Sequence, residues 1–210
     1  KQKGLTEKVM QSILSYGTYY SIETALNFFL TGEINYKNKI SKITPHEWGT
    51  IVIFYNFFKT IETNLNKEKI TLLLKCRIED KDDEVEKIKN DLNDDEKDLI
   101  DKILNGDIDK KIKNMILEMI EKNKNLLNYL SPKNWAENIN VKTFIMHGAN
   151  DSMVPFTEST MLASKIKNSK TLISFLYEHR EMSNDRGVFF KVKEIIKMIN
   201  FFALYFKFNK

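Results

Sequence analysis

Three short apolar-rich segments read as strands, 9–16 (VMQSILSY), 141–147 (VKTFIMH) and 171–177 (TLISFLY), the last two being near-continuous apolar runs bounded by polar residues. Runs of this length predict strands buried on both faces, as in a parallel sheet covered by helices. After the second and third runs the period becomes helical. Residues 157–167 put Met161, Leu162 and Ile166 on one face, and residues 187–206 align Val188, Val192, Ile195, Ile196, Ile199 and Phe202 in one stripe. Strands and helices alternating at this pitch predict an α/β fold. From about Gly32 to Trp135 the pattern changes and no strand is predicted. Residues 50–61 (TIVIFYNFFKTI) are strongly apolar, and 92–104 (LNDDEKDLIDKIL) has helical spacing, with Asn93 or Asp94 as N-cap and acids in the first turn. Residues 32–135 are therefore expected to form a helical insertion, with 1–31 and 136–210 as the core.

Composition narrows the function classes. With 42% apolar and 30% charged residues in a chain of 210, a real core is expected, and one domain with an insertion suits the length. The net charge is +4, the only arginines are Arg77, Arg180 and Arg186, and no basic stripe interleaves with aromatics, so no nucleic-acid partner is expected. Cys76 is alone and forms no intrachain disulfide, which fits a reducing, cytoplasmic compartment. No run of 18 apolar residues exists, so no transmembrane helix is predicted and membrane contact is not expected. Residues 79–109 hold fourteen acids against five lysines, but no Asp-x-Asp-x-Asp-Gly spacing occurs. They read as a solvated helix face, and no metal or cofactor is expected.

Candidate chemistry centres on residues 144–155, FIMHGANDSMVP. An apolar run stops at His147-Gly148, and Asp151 follows just past its end. With its flanks, the stretch 126–160 (LLNYLSPKNWAENINVKTFIMHGANDSMVPFTEST) resembles the α/β-hydrolase fold family around its seventh strand. A Ser-Pro element leads into a strand ending in His-Gly, then an Asp, then Val-Pro and a helix. The likeness continues through the next strand to His179 in LYEHREM, and more weakly covers the opening, VMQSILSYGTYYSIETALNFFLTG, as the sixth strand and the start of a cap. It implies an α/β fold consisting of the C-terminal half of a parallel sheet, about three strands with flanking helices, plus a cap. It also implies a serine hydrolase of carboxylic esters in which Asp151 orients His179, the general base. Physical chemistry agrees with those roles. Ligands of open α/β sheets bind outside the carboxyl ends of the strands, and an Asp accepting from one ring nitrogen leaves the other free to take a proton. The bland alternative is that Asp151 caps the following helix, residues 156–167, or its loop, and that His179 is a surface histidine.

Other residues carry less. His147 is expected to end its strand structurally, Cys76 to be a small buried residue, and Asp185 to open the last helix. His46 has a pocket-lining role as its functional alternative. Phe28, Phe29, Phe54 and Phe57 are the candidates for lining an acyl pocket beneath the cap, the alternative being plain packing of cap on core. The nucleophile is absent. A strained strand-to-helix elbow needs Gly-x-Ser-x-Gly, and the nearest serine, Ser15 in ILSYG, has Ile13 where the first glycine belongs. No His-Gly or Gly-Gly oxyanion loop occurs upstream of the 141–147 strand. The chain is thus expected to be the C-terminal half of a longer enzyme, inactive alone, with its N-terminal half as partner and an acyl ester as substrate. A non-catalytic scaffold that lost the nucleophile is the rival. On the first reading, strand 9–16 should lie at one edge, 141–147 in the middle and 171–177 on the far side, all parallel, with Val188, Ile195 and Ile199 packed on the sheet.

Overall fold

The computed structural model describes residues 10–176 and 187–210. It is an α/β structure built on a three-stranded parallel sheet. Strand β1 (Ser12–Tyr16) pairs with the central strand β4 (Lys142–Gly148), which pairs in turn with β5 (Ser169–Ser174). The apolar runs predicted the three strands, and their order and direction are those the resemblance implied. Two faces of β4 read differently. Ile145 packs with Leu162 and Ile166, at the helix α8 (Phe156–Lys165). Phe144 and Met146 pack with Leu172 and with Phe201 of the last helix, α9 (Val188–Phe208). Alternate side chains of one strand therefore enter two separate apolar layers, which is why β4 is apolar throughout.

Between β1 and β4 lie helices α1 (Ile22–Thr31), α2 (Glu47–Phe57), α3 (Lys67–Ile78), α4 (Asp82–Asn90), α5 (Asp94–Asn105), α6 (Lys110–Lys122) and α7 (Lys124–Leu130). They share one core, centred on Ile51, Phe54, Phe58, Leu74, Ile100 and Ile116, to which α1 adds Leu26 and Phe29. Asn93 caps α5 in a full capping box with Glu96, satisfying two helix-end amides that would otherwise lack partners.

Three expectations need correction. The insertion is not purely helical: β2 (Glu33–Tyr36) and β3 (Lys39–Lys42) form an antiparallel hairpin. Lys37 and Asn38 both take positive φ in its two-residue turn, the geometry that matches strand twist. Only Ile34 of this hairpin is buried, so it leaves almost no apolar pattern to read. On α9, Val188, Ile195 and Ile199 do not pack on the sheet. They are exposed, and Met198, Phe201, Phe202 and Tyr205 make the contact instead. The helix is apolar over so much of its circumference that period alone could not choose the buried face. Met161 likewise points outward from α8, while Leu162 and Ile166 point in. Among the described residues, no helix is long and apolar enough to cross a membrane.

Candidate active site

The sheet delivers its loops to one end. β4 runs through His147 to Gly148, and the amide of Ala149 donates to the carbonyl of Ser174 at the end of β5, at 2.8 Å. Asp151 follows, 1% exposed. Its Oδ1 accepts the amides of Met153 at 2.8 Å and Val154 at 3.0 Å, closing a tight Asx turn. Pro155 then opens α8. The residue before a proline favours extended backbone, so the turn passes directly into the helix. Asp151 Oδ2 is turned the other way, toward His147 and the exit of β1. The Nε2 of His147 lies 3.6 Å from it, and a Cβ on Gly17 would lie 3.8 Å from it. Gly17 sits at φ +59°, and its amide donates to Met146 at 3.0 Å, so the chain leaves β1 against the carboxylate.

Neighbouring loops are tied down by buried acids. Glu158 of α8 accepts the amides of Tyr20 and Ser21, both at 2.9 Å, and the Thr24 hydroxyl at 2.7 Å, anchoring the β1–α1 loop. Glu194 of α9 accepts the Phe175 amide at 3.0 Å, just beyond β5. The helical insertion also grips the acid turn. The His46 amide donates to the Ser152 carbonyl at 3.0 Å, and Met153 packs against the insertion's core.

Of the residues singled out in the sequence, Asp151 is at the carboxyl end of the central strand. His179, the predicted base, and Asp185 lie outside the described residues. His147 is a structural residue with both ring nitrogens engaged: Nδ1 is 2.6 Å from Ser159 Oγ and Nε2 is 2.9 Å from the Val154 carbonyl. His46 is the N-cap of α2, its Nδ1 accepting the Trp48 amide. Cys76 is buried in the helical core, and Ser15 is a half-buried strand residue. Phe54 and Phe29 belong to the helical core and Phe57 packs against it, whereas Phe28 lines an open cleft of about 330 Å³ with Tyr36, Pro155 and Met161. Among the described residues, no group of three His, Cys, Asp or Glu side chains could hold a metal. Glu158, Ser159 and Glu194 were not legible as site residues. Each is one polar residue on an amphipathic helix, and only the fold reveals what it reaches.

A family model described as BD-FAE matches residues 58–166, from the turn after α2 through β4 and Asp151 to the end of α8. No curated protein and no solved structure matches the chain.

Proposed function

Because the chain belongs to the BD-FAE family, a family of esterase-like α/β-hydrolase-type domains, we propose that it supplies the acid and the general base of a serine hydrolase acting on carboxylic esters. One observation carries this reading. Asp151 is buried at the carboxyl end of the central parallel strand, with one oxygen fixed by two amides and the other turned toward the exit of β1. Ligands of such sheets bind at that end.

In the proposed reaction Asp151 accepts from one ring nitrogen of His179. The other nitrogen takes the proton of a serine hydroxyl as that oxygen attacks the ester carbonyl. His179 returns the proton to the departing alcohol, leaving an acyl-serine. Water then repeats the sequence and releases the acid. The serine and oxyanion donors come from an N-terminal half outside this sequence, since no Gly-x-Ser-x-Gly occurs in it. The outer edge of β1 is consistent with such a partner. Among the described residues β1 pairs only with β4, Leu14 is exposed beside it, and α9 bears the exposed apolar residues Val192, Ile195, Ile196 and Ile199. More strands and a covering helix would bury these groups. Residues 32–135 serve as the cap over the site, and Phe28 is the candidate for meeting the acyl group.

The test uses protein made from the complete coding sequence and a p-nitrophenyl ester. Asp151→Asn and His179→Ala should each lower turnover by about 10⁴-fold, and the 210-residue chain alone should show none. Full turnover in both variants would overturn the assignment and favour a scaffold that keeps Asp151 for its turn.

A further inference from the structure

We propose that Glu194 of α9 is a positioning residue of the candidate site: it fixes the last peptide group of β5, on which the acid loop hangs and from which the chain runs on toward His179. The residue stands out on its helix. Met198, Phe201, Phe202 and Tyr205 form the sheet-facing side of α9. Glu194 precedes Met198 by four residues and Phe201 by seven, spacings that share a helix face. A carboxylate on that apolar side, 1% exposed, is costly to bury unless it is hydrogen-bonded and paired. It is both. Its Oε2 accepts the Phe175 amide at 3.0 Å, and its Oε1 meets the Lys197 ammonium. Phe201 seats the same helix on Phe144 of β4, so the carboxylate is carried by a packed element and not by a loop.

The amide that Glu194 accepts belongs to the same peptide group as the Ser174 carbonyl. Among the described residues β5 pairs only with β4, so its outward amides need acceptors from outside the sheet. A trans peptide is planar, with its C=O and N–H pointing opposite ways. Here the carbonyl takes the amide of Ala149, the first residue after β4 and two before Asp151, at 2.8 Å. The N–H on the other side goes to Glu194. Held at both ends, the plane cannot turn without breaking one of these bonds. The next residue is fixed as well: Leu176, 1% exposed, donates its amide to the buried Ser174 hydroxyl at 3.2 Å. The root of the acid loop and the chain four residues before His179 therefore share one anchored peptide. Its importance for turnover rests on the hydrolase reading of Asp151, whereas the anchor rests on this geometry alone.

Two readouts on protein from the complete coding sequence test this: turnover of a p-nitrophenyl ester, and hydrogen–deuterium exchange of peptides that contain Phe175 and Leu176. Glu194→Met keeps the length and suits the apolar side of the helix, but offers no oxygen to the amide. It should speed that exchange by roughly tenfold. It should also lower kcat by roughly 10²-fold with KM within about twofold, the pattern of misplaced catalytic groups. Glu194→Gln retains an acceptor oxygen and should restore slow exchange and most of kcat. Met198→Ala loosens the same helix on the sheet without touching the peptide, so it should lower the thermal midpoint and leave kcat within about twofold. Unchanged exchange in Glu194→Met would overturn the anchor. Faster exchange with kcat intact would overturn the positioning role, as would a Met198→Ala loss of kcat equal to that of Glu194→Met, or a Gln variant no better than the Met one. Full turnover by Asp151→Asn, by contrast, would remove the hydrolase reading and leave the exchange result to decide the anchor.

Discussion

The buried carboxylate of Glu158 accepts the backbone amide of Ser21 at 2.9 Å, across 137 residues of sequence. The same oxygen takes the Tyr20 amide, and the other takes the Thr24 hydroxyl. A carboxylate thus meets the first turn of α1, where amides lack helical partners and the helix dipole favours negative charge. Glu158→Ala would leave both amides without that acceptor inside the protein. Buried unsatisfied groups cost about 1–3 kcal/mol each, so a loss of about 2–6 kcal/mol is expected in urea unfolding. Glu158→Gln keeps an acceptor oxygen and should lose less. Equal losses from the two changes would mean that shape, and not the carboxylate, is what matters at this position.

How much was legible beforehand follows from the same physics. The sheet was readable because β1, β4 and β5 are short apolar runs, and the place of Asp151 just past the central strand because that run stops abruptly at His147-Gly148. The β2–β3 hairpin was not, since a strand that buries only Ile34 has no alternation to show. The sheet-facing side of α9 was misread because Val188, Val192, Ile195, Ile196 and Ile199 line a flank that solvent reaches. Glu158 and Glu194 were hidden for another reason. A buried acid looks like any surface acid until its partner, remote in sequence, is known.

Two glycines separate strain from collision. Gly17 has φ +59°, and an added Cβ would meet Asp151 Oδ2 at an ordinary 3.8 Å. Gly17→Ala should therefore cost only the left-handed backbone penalty, about 1–2 kcal/mol. Gly49 lies in helical backbone where a Cβ would fall 1.7 Å from a ring carbon of Phe29, itself buried in the helical core. Gly49→Ala must displace that ring, at about 3 kcal/mol. Thermal unfolding should rank Gly49→Ala as clearly the more damaging. The reverse order would show that Phe29 moves freely.

Acid should loosen the insertion at the start of α6. Asp109 caps that helix, and the Ile112 amide first, then the Lys102 ammonium, hold its carboxyl below the ordinary range. A folded-state value below the unfolded one means stability that is present above about pH 4 and lost as pH falls through the lowered value. Asparagine also caps helices but does not titrate. Asp109→Asn should therefore shrink its difference from wild type as pH drops from 7 toward about 3, followed by thermal midpoints. Glu79 and Glu118 are lowered too, each chiefly by a lysine, but they are present in both proteins and cancel in the difference. A gap that stays constant with pH would remove the Asp109 contribution.

The last helix offers the sharpest test of which surface carries stability. Phe201 is 3% exposed and meets Phe144 edge-on, with ring centroids 5.8 Å apart. Ile199, two residues earlier, is 59% exposed. Near the helix end, Phe208 packs on Phe144 of β4 while Asn209 accepts the Ser12 hydroxyl of β1 at 2.7 Å. Turning around the helix from Phe201 through Asn209 therefore leads toward the outer edge of β1. Continuing the same turn reaches Ile195, Ile199 and Val192 at 100° per residue. In the 210-residue chain, Phe201→Ala should cost about 3–5 kcal/mol as a core truncation. Ile199→Lys should stay within about 0.5 kcal/mol, as an exposed change does. In protein from the complete coding sequence the contrast should narrow, because a second half seated against β1 would bury the flank and make the lysine costly as well. Urea unfolding of both variants in both proteins reads this. An Ile199→Lys that remains harmless in the longer protein would show that nothing covers this side of α9, and would count against the proposed N-terminal partner.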